Sequence, residues 1–337
     1  MLFRSPASLS PLTALRLGEL AAKAGLPPGV LQVLAGPGSA IGDALVTHPL
    51  VRKVSFTGST EIGRRIMGLA SRDLKRVSLE LGGKSPAILD VSCNVAVAAQ
   101  RIAFGKLLNA GQTCVAPDYL LVPAGTAEKI ASHLVQAIAK LYPKLAANPD
   151  YTAVISERHR ARLAEMVGEA RAAGARVIEV NPAGEAFNTA SRKFPPTLVI
   201  GAPASTRLMR EEIFGPVLPI VEYANLDDAL AYVQRNARPL ALYWFGDDAS
   251  RCNRALRETV SGGVTINDCL WHLAQESQPF GGVGPSGMGA YHGKWGFDTF
   301  SKRKPVFHQA RLNGTGLFHP PYGHTFNWLL RVLSRIA

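Results

Sequence analysis

Cysteine is scarce in this chain: Cys93, Cys114, Cys252 and Cys269 are the only four in 337 residues. None forms a CxxC pair, and none stands at a metal-ligand spacing from histidine. A disulfide framework and a structural zinc site are both excluded as organising principles, and a reducing cytoplasmic setting is predicted. Long apolar runs are missing too: no segment approaches the roughly 20 residues that span a bilayer. No acidic residue precedes Glu19, yet Met1–Pro6 lacks the apolar core of a secretory signal. Dense basic runs are also rare. The net charge is +12, but only Lys302-Arg303-Lys304 clusters, with no aromatic-interleaved platform around it. Scattered surface charge on an enzyme is the simpler reading, and no nucleic-acid partner is expected.

Hydrophobic residues make up 47% of the chain, enough for one or two substantial cores. Their periodicity alternates between strand and helix. Val51–Thr57 reads as a strand and Thr60–Ala70 as a helix, with Ile62, Ile66 and Leu69 on one face. A second cycle runs through Ala87–Leu89, helical Val95–Leu108 and strand Tyr119–Val122. Helices follow at Ala127–Leu141 and Glu157–Ala173, then a strand at Arg176–Val180 and a polar loop to Pro196. Strands at Thr197–Ile200, Val217–Tyr223, Leu240–Phe245 and Gly263–Asn267 enclose helices Leu226–Ala237 and Ala249–Val260. Strands separated by helices predict an α/β fold with parallel pairing.

Several segments carry chemistry. Cys114 stands in Asn-Ala-Gly-Gln-Thr-Cys, and Glu80 opens Glu-Leu-Gly-Gly-Lys-Ser-Pro. A cysteine becomes a nucleophile as its thiolate, and a carboxylate can then handle protons or water. Each residue alone also fits an ordinary buried thiol or a surface charge. Between a strand and a helix, Thr57-Gly58-Ser59-Thr60-Glu61-Ile62-Gly63 offers backbone N–H groups to a pyrophosphate, or simply a capped helix start. In Glu211-Glu212-Ile213-Phe214-Gly215-Pro216, a carboxylate suits ribose hydroxyls and a ring suits a nicotinamide face, or the pair is a solvated acidic turn. Residues 279–289 form a glycine-rich loop beginning Pro279-Phe280-Gly281-Gly282.

Taken together and in this order, these segments resemble the active-site signatures of the NAD(P)-dependent aldehyde dehydrogenases. The resemblance runs from about Pro11 to the C-terminus. Gln112–Tyr119 and Tyr291-His292-Gly293-Lys294 are similar to its class 3 branch, and within that to bacterial coniferyl-aldehyde-oxidising members. The resemblance implies that Cys114 attacks an aromatic or medium-chain aldehyde and Glu80 activates the water that releases the acid. It implies cofactor contacts, with NAD or NADP, at Gly58, Ser59, Gly63, Leu81, Glu212 and Phe214. Phe280 would line the aldehyde entrance and Asn267 would support the site. It also implies the aldehyde dehydrogenase α/β architecture and a homodimer. Residues 1–81 would be the C-terminal part of a parallel-sheet cofactor domain and 82–278 the catalytic domain. Residues 279–337 would return to the cofactor side. Phe326–Ile336 would end the chain as a basic amphipathic helix, docked on the enzyme in preference to a membrane.

Two features of the family pattern have no counterpart. The oxyanion asparagine of a Trp-Asn-Phe-Pro-like segment is missing, and Ser5-Pro6-Ala7-Ser8 stands where a Lys-Pro-Ser/Ala-Glu motif is expected. Codons for Arg4–Leu9 can be chosen that spell Lys-Pro-Ser-Glu-Phe in another frame, so residues 1–10 are read as a shifted start. A truncated sheet would expose apolar edges, and the chain made alone is expected to be poorly soluble or inactive. A catalytically inactive remnant is therefore the second reading.

Overall fold

The computed structural model describes residues 2–187 and 189–335. The chain opens with β1 (Leu2–Arg4), α1 (Pro11–Lys23), β2 (Leu31–Val33) and α2 (Gly38–Thr47), and β1 and β2 pair in parallel as a separate two-stranded sheet. The sequence reading placed no element before Val51. Pro11 at the first helical turn is a start signal for α1, although the helix buries only Ala14.

Next come β3 (Lys53–Thr57), α3 (Thr60–Ser71) and β4 (Arg76–Glu80). The predicted strand–turn–helix is present here, with the Ser59 hydroxyl accepting from the N–H of Ile62 at 3.4 Å as the helix cap. Strands β3 and β4 run parallel in a three-stranded sheet, in register from Lys53 opposite Arg76 to Thr57 opposite Glu80.

The large sheet follows, from β5 (Pro86–Leu89), α4 (Val95–Leu107), β6 (Tyr119–Pro123), α5 (Ala127–Leu141), α6 (Glu157–Ala172) and β7 (Arg176–Glu179). It continues with β8 (Thr197–Ile200), α7 (Arg207–Arg210), β9 (Val217–Tyr223), α8 (Leu226–Arg235), β10 (Ala241–Phe245), α9 (Ala249–Glu258) and β11 (Gly263–Ile266). Seven strands lie in the order β11-β10-β5-β6-β9-β8-β7. Every neighbouring pair is parallel except β7 with β8. Among the described residues between them there is no α-helix, so the chain can return antiparallel at the edge.

Burial on both faces explains the apolar runs. All residues of β5 and β10 are buried, as parallel strands covered by helices must be. On β6, Leu120 and Val122 pack with Ile102 of α4 and Leu134 of α5, while Leu121 packs on the other side with Leu230 of α8 and Ala255 of α9. The strand's two-residue side-chain period puts them there.

After the large sheet, β12 (Gly287–Met288) pairs antiparallel with β4, and α10 (Gly293–Phe300) ends the first compact unit, Met1–Phe300. Ser301–Ala337 is a second unit with α11 (His324–Leu333), which buries none of its residues. The predicted terminal helix overlaps α11, and Ile336 lies outside the described residues. Among the described residues no helix is long and apolar enough to cross a membrane.

Candidate active site

Glu80 ends β4, between two motifs that are far apart in sequence. The N–H of Gly58 donates to the Glu80 carbonyl at 3.0 Å, and Gly287 pairs with Glu80 across β12. The N–H of Leu81 donates to the Ser286 carbonyl at 3.0 Å, and the Thr60 hydroxyl to the Pro285 carbonyl at 3.0 Å. The Gly58–Ser59 turn, the Glu80 strand end and the glycine-rich loop are therefore one hydrogen-bonded assembly. Gly63 has a packing position within it: a Cβ there would lie 2.6 Å from Leu81 Cδ2, so the glycine lets α3 approach Leu81.

The Glu80 side chain is buried, and its Oε2 has no hydrogen-bond partner among the described residues. Burial pushes this carboxyl up to about 8. A buried carboxyl without a compensating cation favours its neutral form.

Cys114 follows a contorted loop. Asn109, Ala110 and Gly111 all have positive φ, at 52°, 52° and 73°. For the first two this is the sparsely populated left-handed region, a strain of order 1 kcal/mol each that surrounding contacts must hold. Gln112 supplies those contacts. Its amide donates to Asn109 O at 3.0 Å and Ala153 O at 3.1 Å, and its Oε1 accepts from the N–H of Ile155 at 2.8 Å. Gly111 passes so close to the Gly215 carbonyl that any Cβ would overlap it, which ties the cysteine loop to the Phe214 segment.

Burial pushes the Cys114 thiol up to about 11, and the Glu212 and Glu80 carboxylates add to the effect; the N–H groups of Cys114 and Val115 oppose it. The resting group is therefore the thiol, with two carboxylates close enough to sense it. The Glu212 carboxylate lies on the Gly82–Gly83 backbone and accepts from the N–H of Gly83. Burial first, then the charge of Asp118, pushes Glu212 up to about 7. A cleft of about 610 Å³ opens beside Phe214, lined also by Ser156, Arg158, His159, Arg162 and Arg207.

Two expected residues stand elsewhere. Phe280 is only 3% exposed. It stacks on His292 at 4.9 Å and meets Tyr291 edge-on at 5.8 Å. An enclosed ring does not form an open mouth, and Tyr291, 38% exposed, is the outward member of that cluster. Asn267 bonds the backbone of Gly246 at both N–H and carbonyl, at 2.9 and 3.3 Å, beside Cys93 and Asn94 at the start of α4. Asn267 thus joins the ends of β10 and β11.

Sequence reasoning missed Tyr291, which senses both Glu80 and Cys114, and the groups that hold the Glu212 segment: Lys84, Asp118, His159 and Arg162. Lys84, Asp118 and Tyr291 all lie inside quoted motifs, but nothing local announces their distant partners.

The family model for the aldehyde dehydrogenase family matches residues 2–306, and the chain belongs to that family. A probable coniferyl aldehyde dehydrogenase of Caulobacter vibrioides is 46% identical over 94% of this chain and 66% of that protein. The coniferyl aldehyde dehydrogenase of a Pseudomonas species is 43% identical over 97% of this chain and 68% of that protein. Among solved structures, a substrate-bound Staphylococcus aureus AldH superposes with a TM-score of 0.89 at 36% identity, covering 98% of this chain and 70% of its own. An NAD-dependent aldehyde dehydrogenase of Sinorhizobium meliloti gives 0.82 at 31% identity, covering 89% and 59%. An NADP-dependent E. coli enzyme gives 0.81 at 36%, covering 88% and 61%. The chain thus spans about two thirds of the length of these curated relatives.

Proposed function

We propose that this protein oxidises an aldehyde to the carboxylic acid with NAD or NADP, using Cys114 as nucleophile and Glu80 as base. The observation that carries the reading is the convergence of a half-buried thiol at Cys114 with the buried carboxyl of Glu80 and the carboxyl of Glu212. The relatives' names direct the substrate towards an aromatic aldehyde of the coniferyl type.

The residues fit a nicotinamide cofactor. The Gly58–Ser59 turn at the start of α3, the inward-turned Glu212 and the ring of Phe214 would hold its phosphate, ribose and nicotinamide parts in turn. Glu80 Oε2, buried and unpartnered, suits a group that waits for a water or a proton. Bound there, the cofactor would supply the two-electron acceptor of the oxidation. Cys114 Sγ would bond the aldehyde carbon, and its N–H would stabilise the oxygen on which charge develops. The acyl group would remain on Cys114 as a thioester, and Glu80 would take a proton from the water that releases the acid.

Residues 1–81 are assigned to the cofactor part and 82–278 to the catalytic part, supported by the placement of all seven large-sheet strands between Pro86 and Ile266. Pairing of β12 with β4 supports a return of residues 279–300 to the cofactor side. The four free cysteines suit a reducing cytoplasm, and the family resemblance adds a homodimer, to be checked by light scattering.

The direct test incubates the protein with an aromatic aldehyde and NAD(P)+, then weighs it intact. An acyl adduct on Cys114, absent in Cys114→Ala and retained in Cys93→Ala, is expected. An adduct that persists in Cys114→Ala, or no adduct and no reduced cofactor, would overturn the proposal.

A further inference from the structure

The segment carrying Glu212 has neither helix nor strand between α7 and β9, yet side chains hold its carbonyls one after another. Lys84 Nζ donates to Leu208 O at 2.9 Å, to Glu211 O at 3.0 Å and to the carboxylate of Asp118, which uses all three ammonium protons. Asp118 Oδ1 accepts from the N–H of Ile213 at 3.0 Å. Arg162 donates to Glu212 O at 2.6 Å and to Ile213 O at 3.0 Å, and His159 Nε2 bonds Phe214 O at 2.8 Å. The carbonyls of residues 211 to 214 are thus each anchored by a side chain.

Surface turns satisfy such carbonyls with water at little cost. Here Lys84 and Arg162 are charged anchors, and the Lys84–Asp118 pair is nearly buried, at 11% and 4% side-chain exposure. A buried pair of this kind adds little net stability, because desolvation offsets the attraction. It does define direction. With its backbone pinned from the inside by Lys84 and from the outside by Arg162, Glu212 turns its carboxylate onto Gly82–Gly83.

We infer that Lys84, braced by Asp118, and Arg162 are positioning residues that set where the Glu212 carboxylate stands. The inference rests on the proposed reading only in giving Glu212 a cofactor ribose to hold.

Hydrogen exchange at the Gly83 amide, followed without cofactor, reports whether Glu212 is docked, because Glu212 accepts from that N–H. Glu212→Ala sets the undocked rate. Lys84→Met and Arg162→Lys are expected to speed Gly83 exchange about tenfold or more, towards that rate. Lys84→Met combined with Glu212→Ala should be no faster than Glu212→Ala alone, since a residue acting through Glu212 adds nothing once it is gone. Arg162→Lys keeps the charge and loses the two-pronged bond, so it decides the matter if Lys84→Met does not fold. Unchanged Gly83 exchange in the folded variants, or in Glu212→Ala itself, would overturn the inference. Titration with NAD+ separates the two ideas. If Glu212→Ala frees Gly83 but leaves NAD+ affinity intact, the ribose role fails and the positioning role stands.

Discussion

The Glu212 carboxylate rests directly on the α-carbon of Gly82, so that a Cβ on this glycine would overlap both carboxylate oxygens. Gly82 is not among the residues with positive φ, and its backbone alone would accept an alanine. The three nearest atoms all belong to the far end of a flexible side chain, that of Glu212. Gly82→Ala should therefore fold with a stability within about 1 kcal/mol of the parent, because Glu212 can swing away. Cofactor affinity should fall roughly tenfold, a loss of about 1.4 kcal/mol. Thermal unfolding and NAD(P)+ titration check the two halves. A large drop in melting temperature with unchanged affinity would place the obstruction in the core and not in the site.

The legible part of this structure is the part governed by local pattern. The runs Pro86–Leu89 and Ala241–Phe245 are apolar at every position because helices cover both sheet faces. The caps Ser59, Asn94 and Ser156 mark helix starts directly. The left-handed run through Asn109 and Ala110 was not legible, since alanine has no preference for that conformation and is held there by Gln112 and Gly215. Nor was the Glu212 anchor, whose Lys84 bonds span 124 and 127 residues. Phe280, placed at the aldehyde entrance by the family resemblance, is enclosed by contact with His292 and Tyr291, which nothing local in its glycine-rich loop announces.

Glu80 gives a pH signature. Burial raises its carboxyl from 4.5 to about 8, so between those values the folded state keeps a proton that the unfolded state has lost. Stability contributed by this group therefore falls as pH rises through that window and levels off above about pH 8. Glu80→Gln should remove the penalty, stabilising the protein at about pH 9 by roughly 1–3 kcal/mol while changing little near pH 4. Its turnover should drop by about 100- to 10,000-fold as the general base is lost, and the rise of the parent's rate towards about pH 8 should vanish. Equal stabilisation at both pH values would mean that Glu80 is not a buried neutral carboxyl.

Asp90 offers the opposite sign, just past the C-terminal end of the interior strand β5. Its side chain is fully buried at the end of β5, where it accepts from the Ser92 hydroxyl at 2.6 Å, the Ser92 N–H at 3.1 Å and Arg251 Nε at 2.6 Å. Burial alone would raise its pKa, but the Ser92 and Arg251 hydrogen bonds outweigh that and hold the carboxyl below its ordinary 3.8. Its contribution is thus present above about 3.8 and lost as pH falls through the lower folded value. The Ser92 hydroxyl in turn accepts from the N–H groups of Asp247 and Asp248 at 3.0 and 3.2 Å, so the carboxylate organises the turn that starts α9. Asp90→Ala leaves Arg251 without its partner and the turn without its anchor, at an expected loss of about 3 kcal/mol near neutral pH. Asp90→Asn, which keeps the shape and part of the bonding, should lose about half as much. Urea unfolding of the three proteins at neutral pH and again below about pH 3 measures both effects, and the gap between parent and Asp90→Ala should narrow in acid. A gap independent of pH would assign the loss to packing and not to the charge on Asp90.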